Sequence, residues 1–170
     1  MNTYTKTMLM ASAISLLISS HASAFCYEQA GQQYKINASI LRAISKHESN
    51  NDPATIHYNE NGSYDVGLMG INSIHARYLG PKKWSMMREP CTNVMTGASI
   101  LRDCLNKYGY NWLGIGCFNS QTPKFRDKYA RKIYNLIFKE QTRVGQNPVE
   151  TQPTQVATGN VSWAQDGGAE

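Results

Sequence analysis

The stretch Asn37–Pro53, NASILRAISKHESNNDP, predicts an amphipathic helix whose apolar stripe is broken at one position. Ile40 and Ile44 follow the spacing of a single helix face, which is typical of a helix packed against a core. The next position on that face is Glu48, and Pro53 ends the helix soon afterwards because proline disfavours helix in the residue before it. The pattern therefore directs a carboxyl group toward the core at the last turn of the helix.

Glu48 is a candidate catalytic acid because apolar neighbours favour the neutral form of a carboxyl group and raise its pKa. A carboxylic acid that stays protonated near neutral pH can donate a proton to the oxygen that links two sugars. The alternative is structural, with Glu48 rotated into solvent or paired with Arg42 or Lys46. Its position alone does not choose between the two interpretations.

Asp65 is a second candidate. The pair Asn61-Gly62, between residues of strand character, predicts a β-hairpin with a two-residue turn that would place Tyr58 opposite Asp65. Such a hairpin would fold Asp65 back toward Glu48 and give two carboxyl groups, one an acid and one a charge stabiliser. In the alternative, Asp65 only hydrogen-bonds the turn VGLMG that follows it.

The chain of 170 residues divides into three parts. Residues 1–24 combine an apolar run with the small-residue cleavage pattern at Ala22 and Ala24, which predicts a signal peptide and export to the periplasm without a retained membrane anchor. Residues 25–140 have the length of one domain. Residues 141–170 are rich in Gln, Thr, Gly and Pro and are predicted to form a disordered tail.

All four cysteines lie in the exported part, which favours two disulfides over metal or redox chemistry. Cys91 and Cys104 flank or share one predicted helix at a separation of roughly 20 Å, far beyond the reach of a disulfide. We therefore favour the pairs Cys104–Cys117 and Cys26–Cys91. The histidines of the exported part show no ligand-like spacing with the cysteines, so no metal and no cofactor is predicted.

The remaining pattern predicts five to six helices and one small β-hairpin, which is an α+β class that is mainly α. The clearest helix is TNVMTGASILRDCLNKY, residues 92–108, because its apolar residues recur on one face. Another helix is predicted in NWLGIGCFNS, residues 111–120, with Asn119 inside it. A last helix is predicted to begin at Pro123, a favourable residue for the first helical position.

The formal net charge of +5 predicts attraction to an anionic polymer such as the cell wall, or to lipid headgroups. Nucleic acid is not a favoured partner, since the chain is predicted to be exported. The sequence also lacks a stripe of interleaved basic and aromatic residues, which a nucleic-acid-binding surface would show.

Five segments in order resemble a known family: ILRAISKHESNNDPATI, DVGLMGINSIHARYL, CTNVMTGASILRDCLNKYG, WLGIGCFNS and KYARKIYNLI. They match blocks of the soluble lytic transglycosylases, whose fold is similar to that of goose-type lysozyme. The resemblance spans about Cys26 to Glu140. Within the family, the chain resembles small exported enzymes that accompany type III and type IV secretion, conjugation and pilus machines.

The resemblance implies a lytic transglycosylase that cleaves the β-1,4 bond between MurNAc and GlcNAc of peptidoglycan and leaves a 1,6-anhydro-MurNAc end. It implies Glu48 as the catalytic acid and base. It implies these substrate-binding positions near it: Ser49, Gly67, Leu68, Met69, Asn119 and Tyr129. The implied partners are glycan strands and an envelope-spanning secretion, conjugation or pilus machine, and we expect a monomer without a cofactor.

Three positions depart from the family pattern. Many members have Gln where Gly70 stands and Tyr where Phe118 stands, so a polar contact to substrate and a hydroxyl group near Glu48 are missing. Asp65 is an addition, and the interval from Glu48 to Asp65 equals that between the two catalytic carboxyl groups of c-type lysozymes, the type case of that pairing. Two alternatives therefore stay open: a hydrolytic muramidase that uses Glu48 and Asp65, and a non-catalytic glycan-binding assembly factor.

Overall fold

The computed structural model describes residues 26–144, so the predicted signal peptide and most of the predicted tail lie outside the described residues. Residues 26–144 form six α-helices and a three-stranded sheet, which confirms the predicted α+β class that is mainly α. The helices are α1 Tyr27–Tyr34, α2 Ala38–Ser49, α3 Ala76–Trp84, α4 Pro90–Tyr108, α5 Trp112–Cys117 and α6 Pro123–Val144. The strands are β1 Ile56–Tyr58, β2 Tyr64–Val66 and β3 Ile71–Asn72, and a 3-10 turn, Ser73–His75, leads into α3.

The C-terminal end of the domain differs from the sequence prediction. Helix α6 continues to Val144, four residues beyond the predicted domain limit at Glu140. Along the described part of the chain, no helix is both long enough and apolar enough to cross a membrane.

Helix α2 forms where the sequence predicts it. The side chain of Asn37 accepts a hydrogen bond from the backbone N–H of Ser39 at 2.9 Å, so one of the free N–H groups of the first turn is satisfied. Leu41 and Ile44 are fully buried in the core. The helix ends at Asn50, which adopts the left-handed conformation with a φ of 56°.

Helix α4 packs against α1, α5 and β3 and carries much of the core. The carboxylate of Glu89 caps its first turn by accepting hydrogen bonds from the N–H groups of Cys91 and Thr92. Gly97 lets the loop before β3 approach this helix, because a Cβ on Gly97 would lie 2.7 Å from the Cβ of Met69. Helix α4 thus fixes the position of that loop.

The predicted register of the hairpin is wrong by one residue. The structure pairs Tyr58 with Tyr64 and His57 with Asp65, whereas the two-residue turn would pair Tyr58 with Asp65. A shift of one residue exchanges the two faces of a strand. The correction therefore determines which face carries Asp65.

The cause lies in the turn. The side-chain oxygen of Asn61 accepts a hydrogen bond from the N–H of Ser63 at 3.0 Å, and only Gly62 takes a positive φ, of 80°. The predicted turn needs positive φ at both central residues. The N–H of Asn59 instead donates to the carbonyl oxygen of Ser63, which closes a three-residue loop with glycine at the left-handed position.

Strand β3 is absent from the sequence prediction, which contains only the two strands of one small hairpin. Ile71 pairs with Val66, and Asn72 pairs with Asp65. Two residues are too few to show the alternation by which strands are recognised. This strand brings Asn72 beside Asp65 and so helps to form the site.

Two disulfides tie the helices together. Cys26, before α1, is bonded to Cys91 in the first turn of α4, and Cys104 of α4 is bonded to Cys117 at the end of α5. These are the pairs that the sequence favours. They link α4 to the start of α1 and to the end of α5, two helices that it also contacts in the core.

Candidate active site

Glu48 is partly buried at the last turn of α2, where its carboxyl group is bonded to Tyr129 of α6 and lines a cavity together with Asp65 of the sheet. The hydroxyl group of Tyr129 donates a hydrogen bond to its Oε1 at 2.5 Å. Burial, together with the negative charge of Asp65, raises the pKa of Glu48 to about 7 from its usual 4.5. The hydrogen bond from Tyr129 and the positive charge of Lys132 act in the opposite direction, but burial prevails.

Tyr129 lies on α6 and is only 4% exposed. Burial and the neighbouring carboxyl group hold its pKa well above the usual value, so the phenol keeps its proton and acts as a donor. The His47 ring meets it edge to face at a centroid distance of 5.2 Å, and the Phe118 ring lies at 6.4 Å. These two rings pack against the Tyr129 ring, whose hydroxyl group is directed at Glu48.

Gly70 covers the other oxygen of the same carboxyl group. A Cβ built on Gly70 would lie 3.0 Å from Oε2 of Glu48 and 3.2 Å from its Cβ, and the φ of Gly70 is +57°. A side chain at this position would therefore be strained and would press on the carboxyl group. Since Oε1 accepts the bond from Tyr129, Oε2 is the oxygen left to carry the proton.

The loop that carries Gly70 is held by one side chain of α4. Asn93 is 1% exposed, and its Nδ2 donates to the carbonyl oxygens of Val66 and Met87, each at 2.8 Å. Its Oδ1 accepts from the N–H of Met69 at 2.7 Å. One amide thus satisfies three buried backbone groups, and each would cost about 1–3 kcal/mol if left unpaired.

Asp65 lies on β2 between two asparagines. Nδ2 of Asn59 donates to its Oδ2 at 3.0 Å, and Nδ2 of Asn72 donates to its Oδ1 at 2.7 Å. These two hydrogen bonds fix the orientation of the Asp65 carboxyl group, which lines the same cavity as Glu48.

These groups open onto a cavity of about 400 Å³. Glu48, Asp65 and Asn119 line it together with Phe118. The volume lies in the range of pockets that bind small ligands, and its polar lining suits a ligand rich in hydroxyl and amide groups. In residues 26–144, no three His, Cys, Asp or Glu side chains form a group that could hold a metal ion.

Five of the six predicted substrate-binding residues are absent from the lining of this cavity: Ser49, Gly67, Leu68, Met69 and Tyr129. Leu68 and Met69 have no exposed surface, and Gly67 is buried beside Asn93, so none of the three contributes to the cavity lining, and their contact with substrate stays a prediction. They pack into the core because Asn93 pulls their backbone onto α4. Ser49 is also buried, and its hydroxyl group donates to the carbonyl oxygen of Leu68 at 3.0 Å. It ties the end of α2 to this loop.

Asn119 lies in the cavity wall but not inside a helix as predicted. Helix α5 ends at Cys117, and the N–H of Asn119 donates to the carbonyl oxygen of Gly116 in the turn that follows. Its backbone bond closes this turn, and the residue contributes to the lining of the cavity.

Several cavity residues are missing from the sequence prediction. Asn59, Asn72 and His75 all line the cavity. Asparagines near turns are usually interpreted as turn formers, so their pattern hides a second role. A signal is nevertheless present once the correct register is known, because Asn59 directly follows β1 and Asn72 lies on β3, on either side of Asp65.

Comparisons with known proteins agree with this geometry. Residues 25–137 match the family described as "Transglycosylase SLT domain". Invasion protein IagB of Salmonella typhimurium (strain SL1344) is 41% identical over 126 residues, which cover 70% of this chain and 79% of IagB. Protein IpgF of Shigella flexneri is 34% identical over 129 residues, which cover 72% of this chain and 85% of IpgF. An X polypeptide of Escherichia coli is 36% identical over 124 residues, which cover 67% of this chain and 73% of that protein. The chain therefore belongs to the transglycosylase SLT-domain family.

Proposed function

We propose that the protein is a peptidoglycan lytic transglycosylase that cleaves the β-1,4 bond between MurNAc and GlcNAc and forms a 1,6-anhydro-MurNAc end. One observation carries the proposal: the pKa of Glu48 is raised to about 7 in a cavity of about 400 Å³ that also holds the carboxylate of Asp65. An acid with such a pKa is protonated in a useful fraction at neutral pH and remains a competent base after it has donated.

In the first step, Oε2 of Glu48 donates its proton to the oxygen that links the two sugars. The bond from C1 of MurNAc to that oxygen breaks, GlcNAc leaves with a new hydroxyl group, and positive charge develops on the muramyl ring. The Tyr129 hydroxyl group stabilises the new carboxylate through its bond to Oε1. Asp65, held by Asn59 and Asn72, stabilises the positive charge on the ring.

In the second step, the ionised Glu48 takes the proton of the C6 hydroxyl group of the same MurNAc residue. The C6 oxygen then bonds to C1, which closes the anhydro ring and removes the positive charge. Glu48 is protonated again, so the cycle is complete and no water is consumed.

A hydrolytic muramidase is the second candidate, and the position of Asp65 favours it. A carboxylate on the far side of the scissile bond can position water or form a bond to C1. The same Glu48 would act as the acid. Water would then replace the C6 hydroxyl group.

Analysis of products distinguishes the two candidates. Sacculi are digested with the wild type and with the variants Glu48→Gln and Asp65→Asn, and the fragments are weighed by mass spectrometry. Anhydro ends, lighter by one water, are expected for the wild type and for Asp65→Asn, with little product from Glu48→Gln. Reducing ends that depend on Asp65 would favour the muramidase and contradict the proposal.

A non-catalytic role as a glycan-binding assembly factor has some support from Gly70 and Phe118, where family side chains are missing. This alternative predicts that Glu48→Gln leaves the clearing of a peptidoglycan suspension unchanged. Loss of turbidity that requires Glu48 would exclude it.

We place this activity in the periplasm. Residues 1–24 would direct export, residues 25–140 would form the catalytic domain, and the protein would act as a monomer on glycan strands. It would open the wall locally for an envelope-spanning secretion, conjugation or pilus apparatus, and the relative named an invasion protein agrees with such a setting.

If the segment 145–170 docks on that apparatus, its deletion will spare lysis of purified sacculi and impair assembly of the apparatus in cells. Equal loss of lysis and of assembly would contradict a docking role for this segment.

A further inference from the structure

A second cavity adjoins the one that contains Glu48. It has a volume of about 550 Å³ and is formed by the 3-10 turn and the first turn of α3, residues 73–78. Ile74 and His75 line both cavities, so a ligand in the first can extend into the second without leaving the surface.

The second cavity combines a cation with apolar surface. The guanidinium group of Arg77 lies 4.5 Å from the centroid of the Tyr78 ring and is hydrogen-bonded to the Tyr78 hydroxyl group. Ile74 is 61% exposed and Tyr78 is 72% exposed. Among the described residues, no carboxylate forms a salt bridge with Arg77. The positive charge is therefore available to a ligand.

Arg77 is the one residue with a permanent charge among those that line the second cavity, residues 73–78. This stretch contains no Asp or Glu. Burial lowers the pKa of His75, so the imidazole at the junction of the cavities is neutral at pH 7 and can both donate and accept hydrogen bonds. The junction thus suits an amide, and the far end suits an anion.

We propose that the second cavity binds the peptide stem of the muramyl residue, with Arg77 contacting a carboxylate of that stem. This inference rests on the proposed function, because it assumes that the first cavity binds peptidoglycan glycan. The two sugars of the glycan backbone offer hydroxyl and N-acetyl groups, whereas the acidic groups of peptidoglycan lie on its peptides. Ile74 and Tyr78 provide apolar surface for the methyl groups of alanine residues in the stem. Arg77 is a specificity residue and takes no part in the bond cleavage.

The test compares three substrates: glycan strands with peptide stems, the same strands after an amidase has removed the stems and the lactyl carboxyl groups thereby exposed have been converted to amides, and stem-bearing strands whose carboxyl groups have been converted to amides. The wild type is compared with Arg77→Gln, with Arg77→Lys and with Lys139→Gln, which removes an exposed cation on α6. Circular dichroism and thermal unfolding establish that each variant is folded.

We expect the wild type to cleave the stem-bearing strands with a kcat/KM about threefold to fivefold above that for the other two substrates, which is the range for one exposed ionic contact. Arg77→Gln should abolish this preference through a higher KM at unchanged kcat, and leave cleavage of stem-free strands unaltered. Arg77→Lys should keep part of the preference, and Lys139→Gln all of it.

Three results would overturn the inference. If the wild type cleaves the three substrates equally, or if Arg77→Gln slows all of them equally, the second cavity is no stem-peptide subsite, although the proposed function stands. If the wild type cleaves none of them, the proposed function fails, and the inference that rests on it fails as well.

Discussion

Replacement of Glu48 by Gln should abolish cleavage and at the same time stabilise the fold at neutral and alkaline pH. The pKa of Glu48 in the folded protein is about 7, above its usual 4.5, because ionisation inside the site is unfavourable. Glutamine has nearly the same shape, keeps an oxygen to accept the bond from Tyr129, and never ionises. It therefore removes the penalty without removing the contact.

The direction and the size of this change in the free energy of unfolding follow from the two pKa values of Glu48, about 7 in the folded protein and 4.5 as its usual value. Between pH 4.5 and 7 the folded state binds the proton more tightly than the unfolded state, so stability is fully present below pH 4.5 and is lost as pH rises through 7. At about 1.4 kcal/mol for each pH unit between the two values, the loss is at most roughly 3 kcal/mol. Because Glu48 is partly exposed, we expect about 2–3 kcal/mol between wild type and variant above pH 7 and almost none below pH 4.5.

Urea unfolding of both proteins at several pH values between 4 and 8.5, with disulfides intact, measures this difference. Glu60→Gln is a matched control because Glu60 is exposed in the hairpin loop, and it should show no comparable trend with pH. A variant Glu48→Gln that is no more stable than the wild type at pH 8 would refute the claim that burial raises the pKa of Glu48. A difference independent of pH would refute it equally.

Three further predictions concern neighbouring features. Tyr129→Phe removes a hydrogen bond that favours the ionised form of Glu48, so the alkaline limb of the pH–rate profile should move up by about one pH unit, and an unmoved or lowered limb would contradict this. Gly70→Ala should cost about 1–2 kcal/mol in urea unfolding because of its positive φ, and should slow cleavage about tenfold by displacing the carboxyl group; wild-type stability would show that the loop relaxes freely. Loss of Cys26–Cys91, which closes the longer loop, should destabilise by about 4 kcal/mol against about 3 kcal/mol for Cys104–Cys117, so the reverse order in thermal unfolding of the two double Cys→Ser variants would argue against chain entropy as the cause.

The helices could be predicted where a long apolar stripe meets a cap, as in α2 and α4. The start of α4 was missed by two residues, because Glu89 caps through its side chain from a position before the periodic pattern begins. The hairpin register could not be predicted, since it depends on whether Asn61 bonds its own backbone or takes a positive φ. Strand β3 has only two residues and leaves no periodic signal.

For the candidate site, the sequence pointed to Glu48 because it breaks an apolar stripe. It pointed to Asp65 because the predicted hairpin would fold that residue back toward Glu48. Tyr129 was found only through resemblance to a family, since a tyrosine on the buried stripe of α6 looks like an ordinary core residue. Leu68 and Met69 were assigned to the substrate site only through the same resemblance. Their burial could not be predicted, since the contact that holds this loop comes from Asn93 on a helix distant in the chain. Contacts between segments far apart in the chain leave no local pattern to interpret.

The amide of Asn93 makes the acidity of Glu48 a shared property of two helices. Since this one group on α4 secures the backbone that shields a carboxyl on α2, a slight tilt of α4 would lift the shield and admit solvent to Oε2. The pKa of Glu48 would then fall toward its usual 4.5, and a smaller fraction of the acid would be protonated at neutral pH although Glu48 and Tyr129 are unchanged. Damage to the packing of α4 would thus register first as a change in proton affinity, long before the domain unfolds.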